Sequence, residues 1–267
     1  MTSARILLLL LPLLILGCAP DPETIGATPE LLPAAGAEPD GAQGTPETDG
    51  EQPSEQPAAA PEEPGDPIPG VDVSMTDLPA DWTKVKAGGV AFAFVQATVG
   101  VDTVDAAFEK NWVEAKRAGL VRGGFAVYLP GADPEAQARH LLATTKPGSG
   151  DLPPTVVVGL GDPPTKPREA FGAELKTFLA VLEEATGGKP IVATSPDFWN
   201  EHVAGSFGEY PLWVRQTGVD EPTLPTGWDG WTFWQHTLND EVEGMEGKAN
   251  QDTFAESLSS LKGLALP

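Results

Sequence analysis

The chain is poor in several things at once. Its 267 residues include one cysteine, two tyrosines and three histidines, and 16 lysines and arginines stand against 39 acidic residues, a formal net charge of −23. A single cysteine excludes an internal disulfide and any paired-cysteine zinc site. The histidines (His140, His202 and His236) have no metal-ligand spacing, so neither a metal nor a cofactor is expected. An acidic excess of this size excludes a nucleic-acid partner, which requires a basic face to neutralise phosphates. No Ser/His/Asp grouping or G-x-S-x-G stands out. Gly159-Leu160-Gly161 is only half of a dinucleotide-binding fingerprint, because Pro163-Pro164 follow where a helix N-terminus would offer its amides. The N-terminal apolar run, Ile6 to Leu16, is too short to cross a membrane comfortably.

That run follows Arg5 and fits the core of a signal peptide, residues 1–18. It ends in Ile15-Leu16-Gly17-Cys18, which resembles the bacterial lipobox, whose cysteine is lipidated and becomes the mature N-terminus. An exported protein with one cysteine cannot use it for an internal disulfide, so lipidation gives Cys18 a purpose. No aspartate follows Cys18. The expected location is therefore the bacterial cell envelope, held by lipid, and the outer membrane if the source has two membranes.

Residues 19–69 change composition abruptly, with twelve prolines, twelve acidic residues and no lysine or arginine. Such a segment buries too little apolar surface to offset its ordering entropy, and its charges repel one another. It is expected to be a disordered spacer, reaching on the order of 40 Å as a coil and up to ~150 Å if extended. Behind a lipid anchor it would carry the remaining domain away from the membrane.

Residues 70–267 suffice for one sizeable core. The pattern alternates. Strand-type runs fall at 90–95, 124–129, 155–160, 190–194 and 212–216, and helical spacing falls at 106–118, 133–144, 168–186 and 198–204. Continuous apolar strands between helices imply a parallel sheet buried on both faces. A β/α (TIM-like) barrel is the expected architecture, with an open doubly wound sheet as the alternative.

An ordered set of segments resembles the family 25 glycoside hydrolases, the lysozymes or N-acetylmuramidases. Val71-Asp72-Val73-Ser74 resembles the D-x-S that opens the first barrel strand. Trp82–Gly100 and Phe108–Gly124 resemble the following helix and strand units, and Asp133–Ala138 the helix after the third strand. Leu152-Pro153-Pro154 resembles the start of the catalytic strand. Thr186–Trp199, Pro211–Val214 and Trp231–Gln235 follow in the family's order. The resemblance implies a barrel that acts on peptidoglycan or another cell-wall glycan.

Glycoside hydrolysis needs a carboxylic acid to protonate the leaving oxygen and a second carboxylate to activate water or stabilise the oxocarbenium-like transition state. The family pattern places both in a D-x-E after L-P-P, two residues apart and on one side of a strand. Aligned from Leu152, those positions hold Val157 and Gly159. Of the family's acids Asp72 alone remains, and Asp162 is a candidate substitute that an uninterrupted strand would turn the wrong way. The family's histidine falls on Ala126, its later-strand tyrosine on Ala193, and its D-x-N on Asn250-Gln251-Asp252. Its second-strand lysine and glutamate are Gln96 and Val99. Tyr128, Trp213, Trp234 and Gln235 are candidates to line a glycan groove through aromatic stacking and amide hydrogen bonds, although Trp213 and Trp234 also suit the core. The sequence thus poses two readings. One is a tethered, non-catalytic lysozyme-like domain that binds wall glycan or scaffolds a partner; the other is an active muramidase with a rearranged site.

Overall fold

The computed structural model describes residues 67–75 and 80–267. The expected signal peptide, Cys18 and the spacer up to residue 66 lie outside the described residues. Nine strands and six helices follow in the order β1 (Ile68–Val73), α1 (Trp82–Ala87), β2 (Phe92–Val99), β3 (Thr103–Val104), α2 (Phe108–Arg117), β4 (Val121–Val127), α3 (Pro134–Thr145), β5 (Thr155–Val157), α4 (Arg168–Thr186), β6 (Ile191–Thr194), α5 (Pro196–His202), β7 (Leu212–Arg215), β8 (Phe233–Glu241), β9 (Lys248–Phe254) and α6 (Leu258–Leu264). The domain begins two residues ahead of the compositional boundary, because Ile68 and Pro69 already pair with Phe254 and Thr253.

The sheet closes on itself. Its order is β1-β9-β8-β7-β6-β5-β4-β2, and β1 pairs with β2 to complete the ring, while β3 is a short flap on β2. The closure rules out the open doubly wound alternative. Seven barrel strands run parallel; β9 is antiparallel to both of its neighbours, β8 and β1.

Alternation along the strands sorts side chains into two layers. Phe92, Phe94, Trp213 and Phe233 point inward, with Phe94 stacked on Trp213 at 4.3 Å and Phe233 edge-on to Phe94 at 5.0 Å. Gly70 makes room for this plug, since a Cβ there would lie 2.2 Å from the Phe92 ring. Full burial of one such ring contributes about 1.5–3 kcal/mol, so the interior of the barrel is a packed core with no pore through it.

The outer layer lies between the barrel and its helices. On α2, Phe108, Trp112 and Ala115 share the buried face that their spacing predicts. The α3 start is fixed by Asp133, which accepts from the Glu135 and Ala136 amides ahead of Pro134. Ser195 caps α5 in the same way through the Phe198 amide. Helices intervene between β1 and β2 and along the β3–β7 stretch, but the connections from β7 to β8 and from β8 to β9 carry none. That flank of the barrel wall lacks a helical cover.

β5 is shorter than the apolar run suggests. The sequence predicts strand through Leu160, yet pairing stops at Val157 and the chain turns at Gly159, whose φ is +89°. Leu160 is consequently exposed.

Candidate functional site

In a barrel of this kind the parallel strands deliver their chemistry at their C-terminal ends. Asp72 lies one residue before the end of β1, Arg215 is the last residue of β7, and Gln235 lies on β8 in register with Arg215 on one side and Asp252 on the other. Asn250 pairs in register with Asp72 across the β1–β9 contact. Five polar residues from four adjacent strands therefore converge on one side of the mouth.

Their hydrogen bonds leave Asp72 little freedom. Gln235 Nε2 donates to Asp72 Oδ2 at 2.5 Å, and Asn250 Nδ2 donates to Oδ1 at 3.0 Å. The carbonyl end of the Gln235 amide accepts from Arg215 Nε at 3.1 Å. The chain Arg215–Gln235–Asp72–Asn250 thus couples a cation to the carboxylate through an amide relay. Burial weakens the hold of Arg215 on its proton, while the charges of Asp72 and Asp252 strengthen it. Asp72 itself is only 7% exposed.

Asp252 lies deeper, opposite Gly70 in the β1–β9 ladder, and is 1% exposed. Trp213 Nε1 donates to its Oδ1 at 2.8 Å. Its Oδ2 receives no hydrogen bond from a protein donor, and the group it meets is Asp72, another acceptor. Burial first, and then the Asp72 charge, push the Asp252 pKa well above the ordinary carboxylate range, outweighing Trp213 and Arg215. A proton on Asp252 turns two facing acceptors into an O–H···O hydrogen bond.

A carboxylate beside a carboxyl of raised pKa is the electronic arrangement that glycosidases use. Asp252 itself is closed off from solvent. A general acid must reach the leaving oxygen of a glycan within hydrogen-bond distance, and both Asp252 oxygens are enclosed by Trp213 and Asp72.

The sequence resemblance sets Val157 and Gly159 against the family's two acids. Val157 points into the barrel and is buried among the inner apolar side chains. At Gly159 an added Cβ would sit 2.7 Å from the Phe198 ring of α5, in a backbone conformation that side chains rarely adopt. Val157 is thus a packed residue of the inner layer, and the space beside Gly159 is occupied by a phenyl ring. Ala193, which the sequence resemblance sets against the family's later-strand tyrosine, is likewise buried in the inner cluster. Gln96 donates to Asp105, which also accepts from the Met75 and Ala107 amides and so ties the chain after β1 to the start of α2.

The remaining candidates are dispersed. Asp162 is exposed on the loop after β5, three strands from β1 around the ring, and borders a hollow of about 340 Å³ with Leu129, Pro130 and Lys166. Tyr128 does not face a groove. It is 1% exposed and packs edge-on against Phe171 and Phe178 in the outer layer. Trp213 is buried against Phe94, and Gln235 is 2% exposed, so both support Asp252 and Asp72 and present no open face to a sugar. Of the four glycan candidates only Trp234 is partly open, on the outer wall of the barrel. Arg215 escaped the sequence reading, although an arginine closing the apolar strand Leu212-Trp213-Val214 was a usable signal. Among the described residues no group of three or more His, Cys, Asp or Glu is placed to hold a metal ion, and no helix is long and apolar enough to cross a membrane.

The chain was compared with known proteins. It is 31% identical over 202 residues to YegX of Escherichia coli K12, an uncharacterized protein, covering 73% of this chain and 72% of that one. It is 30% identical over 211 residues to lysozyme M1 of Streptomyces globisporus, covering 74% and 71% respectively. Among solved structures it resembles the bacterial lysozyme from Streptomyces coelicolor, with 28% identity, a TM-score of 0.71, and coverage of 74% of this chain and 96% of that one. The model of the glycosyl hydrolases family 25 matches residues 71–245, the span from β1 to the β8–β9 turn, and the chain belongs to that family.

Proposed function

We propose that the domain is a non-hydrolytic member of its family, held at the cell envelope through Cys18 and acting on the wall by binding peptidoglycan or scaffolding a partner there. One observation carries this reading. At the two positions that the sequence resemblance assigns to the family's catalytic acids stand Val157, packed inside the barrel, and Gly159, whose outlook is closed by Phe198. Asp72, the acid that remains, is engaged by two amides and neighboured by the Arg215 cation. Losing a general acid alone forfeits roughly 10²–10⁴ in rate, and here its partner is missing as well.

A cell-wall glycan as ligand follows from the family, whose lysozymes act on peptidoglycan. Multiple acyl chains on Cys18 supply stable attachment, since a single acyl chain binds membranes only marginally. The test has two arms. Wild-type protein should fractionate with membranes and Cys18→Ser should be released; unchanged fractionation contradicts the anchor. The released Cys18→Ser protein should co-sediment with insoluble peptidoglycan without clearing it. Clearing that Asp72→Asn or Asp162→Asn abolishes would instead establish the rearranged muramidase.

A further inference from the structure

Along β8, Phe233 and Gln235 are buried on the inner side, so Trp234 and His236 project from the outer wall. There, on the flank without a helical cover, lies a groove of about 520 Å³, bordered by Trp231, Trp234 and His236 and by Val219 and Asp220 from the β7–β8 connection. Trp231 and Trp234 meet at 6.0 Å with their planes 62° apart, and Trp234 and His236 at 5.4 Å and 64° apart. Rings tilted this far make no flat platform for a sugar to lie across. They wall a trough, and the negative faces of their π systems look into it from different directions. The Trp234 indole N–H donates to the Gln216 carbonyl at 2.7 Å, which holds that ring in place.

The charges around the trough have one sign. Asp220 supplies a carboxylate, and none of the described residues bordering the groove is a lysine or arginine. His236 adds no positive charge at pH 7. Burial holds its pKa below the ordinary imidazole value, against a backbone hydrogen bond at Asp252 and the charge of Asp240. Aromatic faces at mutual angles, a carboxylate at the edge and no resident cation are complementary to a cationic ligand.

The polar groups narrow the kind of cation. A primary ammonium brings three N–H donors that need acceptors, yet the Thr237 hydroxyl beside the groove is already engaged with His236 Nδ1 at 2.8 Å. A quaternary ammonium has no donor and spreads its charge over methyl groups that pack on ring faces. An anionic substituent next to it would meet the Asp220 charge, so the fit is to an uncompensated cation of the choline type.

We propose that this groove binds a quaternary ammonium cation, its head between the Trp231 and Trp234 faces near Asp220 and its alkyl substituent along Val219, which is 40% exposed. The site lies on the outer wall, outside the mouth, and does not rest on whether the domain cleaves or binds glycan.

The test titrates the full-length protein with choline chloride, against sodium chloride at matched ionic strength, and follows the indole N–H resonances and tryptophan fluorescence. A saturable change at the Trp231 and Trp234 signals is expected, with a Kd on the order of 1–10 mM. Trp231→Ala should weaken it roughly tenfold and Asp220→Asn roughly threefold. The neutral isostere 3,3-dimethylbutan-1-ol, with the shape of choline and no charge, should bind at least about tenfold more weakly to the unaltered protein, a comparison that needs no variant to fold. Phosphocholine should also bind more weakly than choline. No response beyond the sodium chloride control would overturn the proposal, and so would equal binding of the neutral isostere or tighter binding of phosphocholine. A chitooligosaccharide that shifts the same two resonances more tightly than choline would make the groove a sugar site and overturn it too.

Discussion

At Asp252 a carboxyl group is enclosed on all sides, with an indole N–H on one oxygen and another carboxylate facing the other. The folded state binds this proton more tightly than the unfolded chain does. Its contribution to stability is therefore full below the ordinary carboxyl range near 3.8 and is lost as the pH rises toward the raised folded value. An asparagine carries its N–H donors at every pH and can still accept from Trp213 through its carbonyl. Asp252→Asn should accordingly be more stable than the wild type at pH 7, by on the order of 1–3 kcal/mol, the cost of an unsatisfied buried group. The advantage should shrink as the pH falls toward 4. Thermal unfolding across pH 4–8 reads both; an Asp252→Asn protein less stable than wild type at neutral pH would show that the buried proton is not the cause. This residue also marks where the sequence was half legible. The acid in Asn250-Gln251-Asp252 is plain in the sequence, but that Asp252 lies against Asp72 and accepts from Trp213 follows only from the fold.

Element by element, what the sequence disclosed depended on how apolar each strand is. The parallel strands read as continuous hydrophobic runs because both of their faces are buried, and Asp133-Pro134 and Ser195-Pro196 mark helix starts through the amides they satisfy. The β8–β9 hairpin was less legible beyond Trp231–Gln235. Its inward residues include Gln235, Asn250 and Asp252, so the alternation that identifies a half-buried strand is inverted just where the site lies. β5 was legible as a strand but not in its length, since one glycine at positive φ ends it. The proposed function and that turn together predict the effect of placing acids at Val157 and Gly159. Val157→Asp with Gly159→Glu puts a charge into the inner apolar cluster and a side chain into the Phe198 ring. The double variant should lose at least 3–5 kcal/mol, a fall in the thermal midpoint of roughly 10 °C. It should gain no glycan cleavage, because Ala193 and Asn250 still lack the groups the family places around its acids. Differential scanning calorimetry and a zymogram check the two halves; a stable, lytic double variant would show that β5 kept room for the chemistry.

For the whole molecule, fold and chemistry are separate questions. The closed barrel is that of the family, and at its mouth a cation, two amides and a carboxylate are linked by hydrogen bonds beside the buried carboxyl of Asp252. The wall-facing placement rests on the N-terminal 66 residues, whose message is compositional and lies outside the described fold. The central claim concerns the barrel itself, and the release of reducing ends from purified peptidoglycan, with an active lysozyme on the same wall as the positive control, tests it most directly. The account predicts no release above the buffer blank from the wild-type protein at any pH from 4 to 8. Release that scales with protein concentration and disappears in Asp72→Asn would contradict it.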